Sequence, residues 1–203
     1  MKITSHKEPF GYLVIDDVYS EEELTLIWAE INFLYPKMQP AEVTLSALSE
    51  DGTFLKKNKS MFLDTTYANR LVSDILTLNK RVFSQEVREA LVDLHPSYAN
   101  AQTANSYTTL LNYYGDGDSY KAHADMNLYT FVTFFVKEDS DFSGGDFLFS
   151  DFGISVEQKA NRVVVFPGCI NHQVQPVVLK TEDSFGRFSL AQFLNYVDNR
   201  MAK

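Results

Sequence analysis

Cysteine is almost absent from this chain: Cys169 stands alone among 203 residues. No internal disulfide is possible, and a reducing compartment is the simpler expectation. Positive charge is also scarce, with 18 Lys and Arg against 27 Asp and Glu and a formal balance of −9. Readers of a phosphate backbone carry a basic stripe, so a nucleic-acid partner is not expected. Long hydrophobic runs are missing too. No apolar stretch approaches the roughly 18 residues of a membrane span, and the N-terminus MKITSHKEPF lacks the apolar core of a signal peptide. These absences lead to the expectation of a soluble, cytoplasmic protein with no membrane partner, its oligomeric state left open. No repeat, low-complexity tract or dividing linker breaks the chain, and its length suits one domain over 1–203. What is plentiful is aromatic: 16 Phe and 11 Tyr favour a strand-rich interior.

The order of elements follows from the periodicity. Phe10 to Val18 reads as a buried strand. Ser20 and Glu23 then form a capping box, in which each side chain satisfies a backbone N–H at a helix start. Leu24, Ile27, Trp28, Ile31 and Leu34 follow at helical spacing, which predicts a helix to about Tyr35, before Pro36. Residues 36–60 read as an irregular polar stretch whose basic run, Lys56 to Lys59, is a solvated loop. A second helix is predicted over 67–82, with Leu71, Ile75, Leu78 and Val82 on one face. A third starts at Ser84 and ends at His95-Pro96, where His95 complements the helix dipole. His6 falls in a mobile terminus.

From about residue 104 the period becomes strand-like. Candidate strands are 105–113, 128–137, 146–150, 162–167, 172–179 and 186–196, with turns at Gly115-Asp-Gly117, Ser143-Gly-Gly145 and Pro167-Gly168. Several short strands between regular turns imply a sandwich or jelly roll. The fold class expected is α+β, mainly β: a helical support region with an N-terminal strand over 1–100, and a β core over 101–198.

Within that core, His123-Ala124-Asp125 is the informative triplet. In extended backbone residues i and i+2 share a face, so His123 and Asp125 can reach one ion while Ala124 points away. His172, from a later strand, would complete a 2-His-1-carboxylate triad with open positions, the arrangement of non-haem Fe(II) oxygenases. By the same alternation Arg187 and Ser189 share a face of the last strand. An arginine between apolar residues calls for an anionic partner.

The context of the triplet is more specific than the triplet. Tyr114, Gly117, Tyr120, His123 and Asp125 stand at the spacing of the signature of the prolyl 4-hydroxylase-like branch of the 2-oxoglutarate/Fe(II) dioxygenases, which this segment resembles. Ser143-Gly-Gly145, the run Val163 to Gly168, the His172 to Val177 segment and Gly186-Arg187-Phe-Ser189 resemble further family motifs in the family's order. The resemblance is good over 105–196 and loose before it. It implies a double-stranded β-helix, the jelly roll, with the N-terminal helices packed on one sheet. It implies Fe(II) on His123, Asp125 and His172, with 2-oxoglutarate as co-substrate, O₂ as oxidant and ascorbate as an optional reductant. The co-substrate's distal carboxylate would meet Arg187, assisted by Ser189, Tyr114 and Thr133. The reaction implied is oxidative decarboxylation of 2-oxoglutarate to succinate coupled to hydroxylation of an unactivated C–H bond.

One departure stands out. Arg187 lies 187 − 172 = 15 positions beyond His172, further than the family usually sets its basic residue, which makes Lys180 a rival. Asp125 argues against a halogenase, which dispenses with the carboxylate ligand. Phe193 occupies the place where a nucleic-acid demethylase would carry a second arginine. Tyr120 reads as packing, Cys169 as a small buried hydrophobe, and Asn127 as a turn residue or a substrate contact. The substrate implied is a prolyl residue in a peptide or protein. A free amino acid or other small molecule is the alternative, and a non-catalytic jelly-roll binding module a second one. The polar loop 46–60 and the acidic stretch 138–141 are plausible covers for the site.

Overall fold

A computed structural model describes residues 1–44, 47, 52–137 and 141–198. In chain order the first part contains β1 (Lys2–His6), β2 (Tyr12–Asp16), α1 (Glu21–Leu34), β3 (Gln39–Pro40), α2 (Ala41–Thr44), β4 (Lys56–Lys57) and β5 (Lys59–Phe62). Then come α3 (Leu63–Thr66), α4 (Asp74–Leu78) and α5 (Gln85–Leu94). The β core follows as β6 (Ser106–Tyr114), β7 (Ser119–His123), β8 (Tyr129–Phe135), β9 (Phe142–Gly144), β10 (Phe147–Phe149) and β11 (Ile154–Val156). It closes with β12 (Arg162–Pro167), β13 (His172–Val174), β14 (Val177–Leu179) and β15 (Arg187–Asn195).

Eight strands form one antiparallel sheet in the order β1-β2-β12-β8-β15-β6-β5-β3, and five form a second in the order β11-β10-β13-β7-β4. The pair β14-β9 stands apart. The large sheet is covered on both faces, and side-chain alternation sorts its residues into two cores. Leu13 and Ile15, Phe131 and Phe135, Val163 and Val165 face the helices. Their neighbours Val14, Phe134, Val164 and Phe166 face the small sheet. Every residue of β8 is buried, so this strand shows no polar alternation in the sequence.

The first helix forms as its sequence predicts. Ser20 Oγ accepts the Glu23 N–H at 3.3 Å, and Glu23 Oε2 accepts the Ser20 N–H at 2.9 Å. Ile27, Ile31 and Leu34 point into the core. The strand at 162–167 and the helix capped by Ser84 also match their expected bounds.

Other expectations are corrected. The helix over 67–82 is in fact a 3₁₀ turn at 70–72, the short α4 and a second 3₁₀ segment at 79–83. Ser73 interrupts it in an extended conformation, with its Oγ accepting from Leu76 N–H. Glu30 of α1 accepts from Ser73 Oγ–H at 2.7 Å and from Ile75 N–H at 2.8 Å, so a side chain from another helix sets the break. His95 does end α5 as its C-cap residue, but its ring serves the next segment. Its Nδ1 accepts the Ser97 N–H and caps the 3₁₀ segment that follows. The N-terminus is not loose either, because β1 pairs with β2 and the His6 ring stacks on Tyr12 at 4.4 Å. The strand predicted over 172–179 is two: Pro176 has no N–H for a ladder, β13 stays in the small sheet, and β14 leaves to pair with β9. Gly144 permits that pairing, since a Cβ there would lie 2.2 Å from the Pro176 carbonyl oxygen. Of the expected covers, residues 138–140 of the stretch 138–141, and 46 and 48–51 of the loop 46–60, lie outside the described residues.

Candidate metal centre

β7 ends at His123 and β13 begins at His172, and the two are direct cross-strand partners with ring centroids 4.2 Å apart. Asp125 lies two residues past the end of β7, tied by its N–H to the Gly168 carbonyl at 2.8 Å. Gly168 has to be glycine here, because a Cβ would meet the Asn127 carbonyl oxygen at 2.2 Å. Ligand atoms from the three side chains all lie within 4.8 Å of one another. His123 Nε2 is 3.7 Å from Asp125 Oδ1, and His172 Nε2 is 3.6 Å from Asp125 Oδ2.

Backbone carbonyls decide the tautomers. His123 Nδ1 donates to Lys121 O at 2.9 Å and His172 Nδ1 to Ile170 O at 3.0 Å, so each Nε2 carries a lone pair toward the carboxylate. Burial pushes His123 down to about 3, helped by the repulsion that would arise if His172 beside it were protonated too. His172 is lowered by burial as well, against the field of Asp125. Two neutral imidazole nitrogens and a carboxylate thus converge with no donor between them, a set of Lewis bases that suits a divalent cation. Both histidines stay neutral in the fold but take protons near the ordinary value of 6.5 when unfolded. The unfolded chain therefore binds more protons below that pH, and metal-free stability, full above about 6.5, falls as pH drops toward the folded values. Urea melts at pH 7 and pH 5 should show the loss; equal midpoints would refute the neutral-histidine assignment.

Thr130 supports the carboxylate from behind. Its hydroxyl donates to Asp125 Oδ2 at 2.5 Å and accepts from Asn127 Nδ2 at 3.0 Å. Asn127 is thus placed in the hydrogen-bond chain behind the carboxylate. Outer partners of this kind are typically worth 10–100-fold in metal affinity. Thr130→Val is expected to weaken Mn(II) binding by roughly that factor, readable by calorimetric titration against wild type.

A cavity of about 340 Å³ opens onto these residues, with Arg187, Ser189, Tyr114 and Lys56 also in its walls. Arg187 is buried, 1% exposed, and pairs with no carboxylate among the described residues. Its Nη1 donates to Gly145 O and to Gln158 Oε1, each at 2.6 Å, while Nε has no partner. Burial lowers it only to about 10, so it stays cationic. Its guanidinium lies 5.1 Å from the Tyr114 ring centroid, and burial lifts that phenol to about 12, keeping it a neutral donor. Such an unpaired, enclosed guanidinium fits an incoming carboxylate. The donor set and this cation together suit a divalent metal with a carboxylate-bearing co-substrate.

Among the residues singled out from sequence, the structure gathers His123, Asp125, His172, Arg187, Ser189 and Tyr114 around one cavity. Thr133 is not among them. It lies on the face of β8 that carries Phe131 and Phe135, toward the opposite core, where its hydroxyl has no hydrogen-bond partner among the described residues, and Thr130 on the other face takes its place. Lys180 lies outside the cavity, largely exposed and ion-paired with Asp141. Cys169 is exposed, not buried as expected, because the turn it occupies presents it to solvent. Tyr120 does pack, stacked on the His123 ring at 3.5 Å, and it also lines the cavity. The largest omission is Lys56. It is 3% exposed, not part of a solvated loop, because β4 adds to the edge of β7 and turns the side chain inward. Burial brings its amine down to about 8, and its Nζ donates to Asn112 Oδ1 at 3.4 Å. A short charged run gives no sequence signal that one of its members is inside.

Comparisons with known proteins agree with this geometry. Residues 108–195 match the family model of the 2OG-Fe(II) oxygenase superfamily. A PKHD-type hydroxylase of Paraburkholderia phymatum is 30% identical over 103 residues, covering 43% of this chain and 45% of that protein, so the match spans less than half of the relative's length. A prolyl-4-hydroxylase of Pseudomonas putida superposes with a TM-score of 0.62 at 16% identity, over 92% of this chain and 93% of that one. A Trichoplax adhaerens prolyl hydroxylase, solved with a hypoxia inducible factor peptide fragment, gives a TM-score of 0.58 at 11% identity over 91% and 83%. The double-stranded β-helix expected of the core is the fold shared with these structures. The motif order, the three converging side chains and the match to the 2OG-Fe(II) oxygenase superfamily thus fall in the same segment, residues 108–195.

Proposed function

We propose that this chain is an Fe(II)- and 2-oxoglutarate-dependent dioxygenase that hydroxylates an unactivated C–H bond, with a prolyl residue of a peptide or protein as its substrate. The observation that carries the reading is one cavity holding both a neutral two-histidine, one-carboxylate cluster and a buried, unpaired arginine. A zinc or manganese site that uses no 2-oxo acid would leave that arginine without a purpose.

In this reading His123, Asp125 and His172 hold the metal, and Arg187 grips the distal carboxylate of 2-oxoglutarate with Ser189 and Tyr114 beside it. Bound iron, 2-oxoglutarate and O₂ supply the oxidising chemistry. The chain's own part is placement and exclusion. Lys121 O and Ile170 O fix the ring tautomers, Thr130 fixes the carboxylate, and Phe147 and Val174 wall the cavity against water. No protein acid or base is needed.

The peptide reading is supported by the hydroxylase folds that superpose on this one, one of them solved with a peptide. The cavity volume, about 340 Å³, favours a second reading, a free amino acid or small molecule, because it sits at the small end of the roughly 300–1,000 Å³ of ligand sites. The test is succinate formation by purified protein with Fe(II) and 2-oxoglutarate, screened over Pro-containing peptides and free amino acids for a product one oxygen atom heavier. No succinate, together with no thermal stabilisation by 2-oxoglutarate analogues, would sink the dioxygenase reading.

A further inference from the structure

We infer that Lys56 recognises a carboxylate on the molecule that is oxidised, so that the substrate class is anionic and not neutral. The inference rests on the dioxygenase reading but not on proline as the target.

The placement of Lys56 is unusual for a residue from a basic run. β4 pairs with β7 through Lys56 opposite Tyr120 and Lys57 opposite Ser119, which sends alternate side chains to opposite sides. Lys57 stays exposed beside Asp118, and Lys56 goes inside. Its ammonium crosses from the small sheet to Asn112 of β6 in the large one. Asn112 stands opposite Ser189, and the next same-face pair along is Tyr114 opposite Arg187. The two buried cations of this cavity therefore belong to successive layers, about 7 Å apart along the strand.

One co-substrate has one distal carboxylate, and Arg187 is placed for it. That leaves Lys56. An ammonium has three donors, and a single long bond to Asn112 uses one of them. The Tyr120 ring at 5.5 Å adds only a weak cation–π contact. Lys56 forms no ion pair with any described carboxylate. The carboxylate whose field reaches it is that of Asp125, whose charge a bound divalent cation would take. Burying an ammonium costs several kcal/mol unless it is paired. A neutral substrate would leave that cost uncompensated, whereas a carboxylate would offset it with a charge-assisted hydrogen bond. A single ammonium in so small a cavity suits a carboxylate better than a phosphate, whose extra charge and oxygens need more donors. The carboxylate could come from a free amino acid or from an acidic residue or C-terminus beside the oxidised position.

The test compares wild type, Lys56→Gln and Lys56→Arg. Protein loaded with Mn(II) and N-oxalylglycine is first followed by thermal shift. Succinate release above the substrate-free rate is then measured with Fe(II) and 2-oxoglutarate. The panel holds the twenty L-amino acids, their carboxamides, and Pro-containing tetrapeptides with Asp or Asn beside the proline and free or amidated C-termini. The expected result is a carboxylate member at least about tenfold more effective than its amide partner. Lys56→Gln should erase that preference and Lys56→Arg retain it, and the hit identifies the source as free acid or peptide. The inference is overturned by a hit that works equally well as its amide, by no stimulation from any carboxylate, or by a preference that survives Lys56→Gln. Weaker N-oxalylglycine binding in Lys56→Gln with the preference intact would assign Lys56 to the co-substrate. Absence of stabilisation in wild type strikes the dioxygenase reading instead.

Discussion

Replacing Asp125 with alanine is expected to lower succinate formation from 2-oxoglutarate by well over about 100-fold, beyond the 10–100-fold that loss of an outer partner costs. The reason lies in the donor set. Without the carboxylate, two imidazole nitrogens remain, too few to hold the ion against water and with no negative charge to balance it. The same change should leave the metal-free fold intact. The Thr130 hydroxyl keeps its bond with Asn127, and Lys56, which loses the field of Asp125, keeps its bond with Asn112. Calorimetric titration with Mn(II) and a urea melt of the metal-free protein separate the two effects. Retained metal binding and turnover in Asp125→Ala would remove this cluster from the mechanism, and a collapse of the metal-free fold would show that the carboxylate is structural.

Arg187→Met carries the second large effect, and it falls on co-substrate affinity. Truncating one side of a buried charge pair costs about 2–5 kcal/mol. That corresponds to roughly 30- to 4,000-fold weaker 2-oxoglutarate binding at about 1.4 kcal/mol per tenfold. Arg187 sits wholly inside, with no carboxylate partner among the described residues and an unpartnered Nε. A methionine fills much of its space and removes a desolvated charge, so the protein without co-substrate should lose little stability or gain some. The loss of the Gly145 and Gln158 bonds opposes that gain by about 1–3 kcal/mol for each group left unsatisfied. The diagnostic readout is the rise in melting temperature with added 2-oxoglutarate, which should vanish in the variant. An undiminished rise would mean that another cation holds the distal carboxylate.

His123, Asp125 and His172 were legible because two signals coincide: an i, i+2 pair in extended backbone and the order of the flanking motifs. Arg187 and Ser189 were legible from alternation once the last strand was recognised, and they do share a face. Thr133 misled for a definite reason. β8 is buried on both faces, so its sequence contains no polar phase to say which threonine looks at the cavity. Thr130 and Thr133 differ in parity, and only the sheet's position between two cores tells them apart. Residues 67–82 misled in another way. Leu71 kept a helical spacing with Ile75, Leu78 and Val82 yet is largely exposed, because Glu30 of α1 takes the Ser73 hydroxyl and the Ile75 N–H and breaks the helix there.

What the chain by itself determined is the chemistry of the residues and their local order: a capped first helix, a β-rich second half, the three side chains of a candidate metal centre and one arginine. Those depend on short-range periodicity and on types of side chain that few other roles explain. What only the tertiary structure decided is who meets whom across the sheets. The pairing of His123 with His172, the isolation of Arg187 from any carboxylate among the described residues and the inward turn of Lys56 all come from strands distant in sequence. Register between such strands is set by packing and by backbone hydrogen bonds that no single segment encodes. A lysine in a basic run thus becomes a buried cation only when an edge strand closes over it.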